Sequence, residues 1–211
     1  MKLLRDNGLT IILLVFTALC IWGMVASGLT VENDTLVAHD HPPLGLFSYI
    51  VSGTFMSALF ENWESEFLQM AAYVMLTASL FQRGSAESRD PDEPERDGDK
   101  LPKDWRARAP VLGWLYAHSL GLALAGLFVM CFVLHWLGSV EASNQDAMLH
   151  GGEVKTAVDY FQDAQFWFES FQNWQSEFLS TAVLVVFSIF LRHKNSPESK
   201  PVGAAHSDTG A

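Results

Sequence analysis

Asn62-Trp63-Glu64-Ser65-Glu66-Phe67-Leu68 recurs 111 positions later as Asn173-Trp174-Gln175-Ser176-Glu177-Phe178-Leu179, with six of the seven residues identical. The same register, without a gap, pairs Cys20 with Cys131, Asn33 with Asn144, His39 with His150, Tyr49 with Tyr160, Phe55 with Phe166 and Phe60 with Phe171. It continues through Ser85 and Ser196, Glu87 and Glu198, and Ser88 and Ser199. One ungapped register of this length marks a tandem duplication, so the chain is read as one unit used twice.

Working outward from the repeated motif, Phe67 to Phe81 and Phe178 to Leu191 are apolar runs of 15 and 14 residues. A hydrocarbon core needs about 20 helical residues. Each run is long enough only if its helix starts near Asn62 or Asn173, which draws Glu66 and Glu177 into the membrane. Two longer runs precede them, Leu9 to Leu29 and Ser119 to Val140, the second with His135 as its only ionisable group. Lys2 and Arg5 before the first run, and Ala26-Ser27-Gly28 within it, resemble a signal peptide. Its 21 residues exceed an ordinary signal core of about 7–15, and the duplication requires it as a helix, so it is read as a retained anchor.

The expected fold is therefore an all-α membrane protein with four transmembrane helices from two parallel tandem repeats. An even number of spans per unit gives both units the same orientation. Residues 1–83 form the first repeat and 111–194 the second, joined by a cytoplasmic linker (84–110) and followed by a cytoplasmic tail (195–211). Linker and tail are polar and charged and are expected to be disordered. Of the 13 Lys and Arg, twelve precede the first span, lie between the second and third or follow the fourth, and only Lys155 lies on the other side. Basic residues mark the cytoplasmic side, so both termini are placed there. The outer loops carry aromatic residues such as Phe47, Tyr49, Tyr160 and Phe168, expected on short interfacial helices.

The overall charge of −11 and the mean hydropathy of +0.15 pull in opposite directions until they are mapped onto this topology. Thr30 to Glu66 holds six acids and no Lys or Arg, and Ser139 to Glu177 holds seven acids with Lys155. The acidity belongs to the outer face, which disfavours nucleic acid as a partner and favours a cation there. The bilayer is the expected partner, together with further copies of the chain.

Asn62 and Glu66 are four apart, as are Asn173 and Glu177, so each pair shares a helical face. Ionisable residues within a membrane default to a functional reading, and a meeting of Glu66 with Glu177 would make a proton or cation site. The competing structural reading caps each helix start, favoured by the helix dipole, with Trp63 and Trp174 as interfacial anchors. Glu64 aligns with Gln175 and is read as solvent-facing. His39 and His150 match at the outer loops but lack metal-ligand spacing, so no metal or other cofactor is expected. Cys20 and Cys131 read as packing residues. His118 and His135 lie on one helix, which disfavours haem. No nucleophile elbow, Walker loop or dinucleotide fingerprint is present. The expected role is a non-enzymatic structural or interaction protein, with a small proton- or cation-linked transporter as the alternative.

Asp6-Asn7-Gly8-Leu9, Glu61 to Leu68, Phe81 to Ser88 and Phe171 to Phe178 together resemble a family of bacterial membrane proteins filed as a domain of unknown function. The resemblance implies a bacterial inner or plasma membrane location, and it implies no activity and no site residues.

Overall fold

A computed structural model describes residues 2–96, 98–100 and 109–210. Positions 101–108 of the expected linker lie outside the described residues. Among the described residues the chain is all helical: α1 (Lys2–Ala38), α2 (Leu46–Ile50), α3 (Gly53–Thr77), α4 (Pro110–Ala117), α5 (Ser119–His150), α6 (Ala157–Phe161) and α7 (Ala164–Phe190). Two of these, α1 and α5, are long and apolar enough to cross a membrane.

The two long helices show how an apolar helix disposes of its few polar groups. Along α1, the hydroxyls of Thr17, Ser27, Thr30 and Thr35 each donate to the carbonyl four residues earlier, at 2.8–3.1 Å. Each of these four hydroxyls thus has an acceptor within the helix. Leu9, Phe16 and Trp22 stay well exposed on the same helix, a surface suited to an apolar solvent. Asn7 interrupts α1 with φ −131° and ψ 17°. This interruption has a counterpart 111 positions later, where His118 breaks the path from α4 into α5 with φ −112° and ψ 8°. Pro110 opens α4, where its missing N–H costs nothing.

The chain divides into two compact units. The first comprises residues 1–59 and 134–163. Its loops are tied by asparagines: Asn33 accepts from the Leu44 amide at 2.6 Å and donates to the Leu44 carbonyl at 3.2 Å. Asn144 does the same to Lys155, at 2.7 and 2.9 Å. Tyr49 on α2 and Tyr160 on α6 are both buried. The first turns of α3 lie directly on α5. A Cβ at Gly53 would stand 2.6 Å from the Ala142 nitrogen, and one at Gly138 2.6 Å from the Ser57 nitrogen. Hydrogen replaces a side chain at both points, and the Ser57 and Ser139 hydroxyls meet at 2.7 Å.

The second unit comprises residues 60–133 and 164–211, with the greater part of α3 and α7 and the start of α5. The segments following α3 and α7 fold alike. The Gln82 amide donates to the Ser88 hydroxyl at 2.8 Å and the His193 amide to the Ser199 hydroxyl at 2.9 Å. Gly84 and Asn195, equivalent in the 111 register, both take positive φ, 84° and 68°. Glycine adopts that conformation freely, and asparagine tolerates it better than most residues. Ser85 is fully buried and bonds the Ser188 hydroxyl on α7 at 2.8 Å. From the tail, the Lys200 ammonium donates to the carbonyls of Ala205, His206 and Asp208, and the Gly210 amide to the Ser85 carbonyl.

Candidate functional site

The polar residues of α3 and α7 in the second unit are arranged as a seam. At its centre Glu64 is fully buried and accepts a hydrogen bond from the Trp174 indole N–H at 3.1 Å. One turn toward the start of α3, Glu61 accepts from the Asn173 amide at 2.5 Å. Further along, the Gln69 amide donates to the Thr181 hydroxyl. Each bond joins one helix to the other, so the seam holds polar groups in partnership rather than leaving them to water.

Aromatic rings surround Trp174, the donor to this carboxylate. Trp174 packs edge-on against Phe128 at 6.2 Å and lies tilted against Phe132 at 6.3 Å, both on α5. On its own helix it meets Trp167 and Phe171 edge-on. Phe166, with no exposed surface, closes the cluster against Phe132. Offset and edge-to-face rings pack densely and exclude water.

This burial corrects the reading of Glu64 as solvent-facing. Alignment with Gln175, which is exposed, suggested exposure for both. Positions 111 apart meet different neighbours: Glu64 is buried against Trp174 of α7, whereas Gln175 is exposed. A signal was present: Ser57-Ala58, Glu64-Ser65 and Ala71-Ala72 recur every seven residues on α3. Small residues at heptad spacing mark a packed helix face, and Ser65 and Ala71 are indeed buried with Glu64.

The four residues expected to form a polar site are distributed along this seam and its flank. Asn173 is half-buried and bonds Glu61 as described. Asn62 and Glu66 are exposed, and Glu177 is half-buried within electrostatic reach of Glu66. Trp63 stacks edge-on to Phe60 at 5.6 Å, while Trp174 occupies the aromatic cluster. Both cysteines are free thiols, Cys131 buried and Cys20 exposed. In the first unit, the rings of His39 and His150 meet edge-to-face at 4.8 Å. Among the described residues no three His, Cys, Asp or Glu side chains converge as metal ligands.

No curated protein matches the chain. No solved structure matches it either. A family model does, over residues 1–211, and by that match the chain belongs to the family described as a domain of unknown function, DUF6766.

Proposed function

We propose that the protein is a non-enzymatic membrane protein of four spans, built from two parallel repeats, which serves as a structural or interaction component and self-associates. The observation that carries this reading is the seam. Glu61 with Asn173, Glu64 with Trp174 and Gln69 with Thr181 commit the polar groups of α3 and α7 to joining the helices.

Two repeats are supported by local geometry that recurs in the 111 register: paired Asn brackets, paired serine turns, and positive φ at Gly84 and Asn195. Four spans are supported by lengths and contacts. α3 has 25 residues and α7 has 27, about 37 and 40 Å at the helical rise. Within the first unit the first turn of α3 abuts Gly138 of α5, and within the second Met75 of α3 abuts Gly121 of α5. In this arrangement both termini are cytoplasmic, the membrane is the bacterial plasma membrane, and the acidic outer loops attract cations.

Reconstituted full-length protein tests the reading. Wild type is expected to carry no proton or cation flux above empty liposomes, and Asn173→Leu to lower stability in mixed micelles. Cysteines at Glu153 and Lys194, both exposed, are expected to label from opposite sides; labelling from one side refutes the topology. A second reading, proton or cation transfer through Glu66 and Glu177, is favoured by the mutual electrostatic reach of these carboxylates. It predicts a flux that Glu66→Gln and Glu177→Gln abolish while the fold survives.

A further inference from the structure

A cavity of about 350 Å³ opens between the later turns of α3 and α7, within the size range of small-molecule sites. Its walls are apolar, with Leu76, Leu80, Phe178 and Val185 among them. At one end stands Glu87, from the segment that follows α3. The Tyr73 hydroxyl donates to Glu87 Oε2 at 2.9 Å. Oε1 of the same carboxylate is buried; the Glu198 carboxyl hydrogen-bonds Glu87 when one of the two carries a proton, and once both are ionised nothing among the described residues donates to Oε1. A buried acceptor oxygen without a donor costs about 1–3 kcal/mol, more if charged, so the site is completed by a ligand that brings an N–H.

We propose that this cavity binds a primary alkylammonium ion, its hydrocarbon body between α3 and α7 and its nitrogen on Glu87 Oε1. Charge complementarity selects the occupant. Glu198, the repeat equivalent of Glu87, adds a second negative group beside it. Arg89 and Arg96 line the far side of Glu87, and Arg89 is committed to Asp99 in an ion pair at 2.5 Å. The facing stretch of α7, Phe178 to Val186, contributes no titratable side chain. An anion would find carboxylates at the polar end, and a neutral alkane would leave Oε1 unsatisfied. The need for an N–H separates a primary ammonium from a quaternary one.

Burial pushes the Glu87 carboxyl above its ordinary value, with Glu198 adding to the rise and the Tyr73 hydrogen bond opposing it. Ammonium binding requires the ionised form, so affinity rises with pH through the Glu87 titration and binding releases a proton.

The test is calorimetric titration of octylammonium into the full chain in phosphatidylcholine nanodiscs, with empty discs as background. Saturable binding is expected, weakened about tenfold or more by Glu87→Gln and lost on filling the cavity with Ala182→Phe. Octanol, octanoate and trimethyloctylammonium are expected to bind far more weakly. Helical content and a monodisperse elution profile verify that each variant is folded. Unchanged affinity in Glu87→Gln, or equal binding of octanol, overturns the proposal. Repeating the titration in phosphatidylethanolamine discs tests the source of the ammonium. Unchanged affinity there supports a free amine, and strong competition reassigns the site to a lipid headgroup and overturns it. A flux assay is not involved, so failure here leaves the non-enzymatic reading above standing or falling on its own test.

Discussion

Replacing Trp174 by Phe removes the indole N–H that Glu64 accepts while keeping a ring among Phe128, Phe132, Trp167 and Phe171. Two costs follow. Shrinking a half-buried aromatic side chain loosens its packing, and the buried carboxylate oxygen loses a donor where water cannot replace it, which costs about 1–3 kcal/mol. Only the second term depends on Glu64, so it is isolated by the cycle of Trp174→Phe, Glu64→Leu and the double variant. Hydrogen bonds between membrane helices couple by about 0.6 kcal/mol on average and by about 1.7 at most. Glu64 is fully buried and its acceptor is a carboxylate, which places this pair toward the upper end of that range. The double variant is expected to be less destabilised than the two singles together, because it removes the orphaned acceptor along with its donor. The assay is reversible unfolding of the full chain in mixed micelles of increasing denaturing detergent. A coupling energy within about 0.3 kcal/mol of zero would refute the argument that the α3–α7 seam is held by its polar pairs.

Gly138→Ala places a Cβ 2.6 Å from the Ser57 nitrogen and is expected to destabilise by about 1–3 kcal/mol in the same assay. Gly126→Ala has nothing within 4 Å of its Cβ and is expected to be neutral or to stabilise by up to about 1 kcal/mol through helix propensity. Asn33→Ala and Asn144→Ala each remove two hydrogen bonds, so each is expected to cost about 1–2 kcal/mol. Hydrogen exchange is expected to quicken at the Leu44 amide in the first variant and at the Lys155 amide in the second. Glu87 titrates above the ordinary 4.5 when folded, chiefly through burial, so its contribution to stability is complete below that pH. The contribution is lost as pH rises through the folded value, and Glu87→Gln is expected to flatten a stability profile measured upward from about pH 4.5.

How far the sequence could be read depends on which residues one asks about. The Asn33 and Asn144 brackets, the five-residue helices α2 and α6, and the interruptions at Asn7 and His118 fall 111 positions apart. These features are local, decided within a dozen residues by backbone and side-chain hydrogen bonds. Matching positions therefore reproduce them even where many of the residues differ, and a register shift suffices to find them. Glu64 and Gln175 obey a different rule. Their local sequences are nearly the same, but which side of α3 or α7 is covered depends on neighbours distant in sequence. For Glu64 those neighbours are Trp174 on α7 and the aromatic cluster that Trp174 shares with Phe132. Motif comparison carries no information about such contacts, because a duplicated motif copies a side chain without copying its surroundings. The small-residue heptads of α3 do carry it, since a close-packed face selects for Ala58, Ser65 and Ala72 at that spacing. The same distinction explains the Glu87 end of the cavity. Glu87 and Glu198 sit in matching serine turns, but position 73 is Tyr and its counterpart 184 is Leu. A hydroxyl donor is thus present in one repeat and absent from the other. Positions 111 apart share their turn geometry, and the chemistry appears where their residues differ.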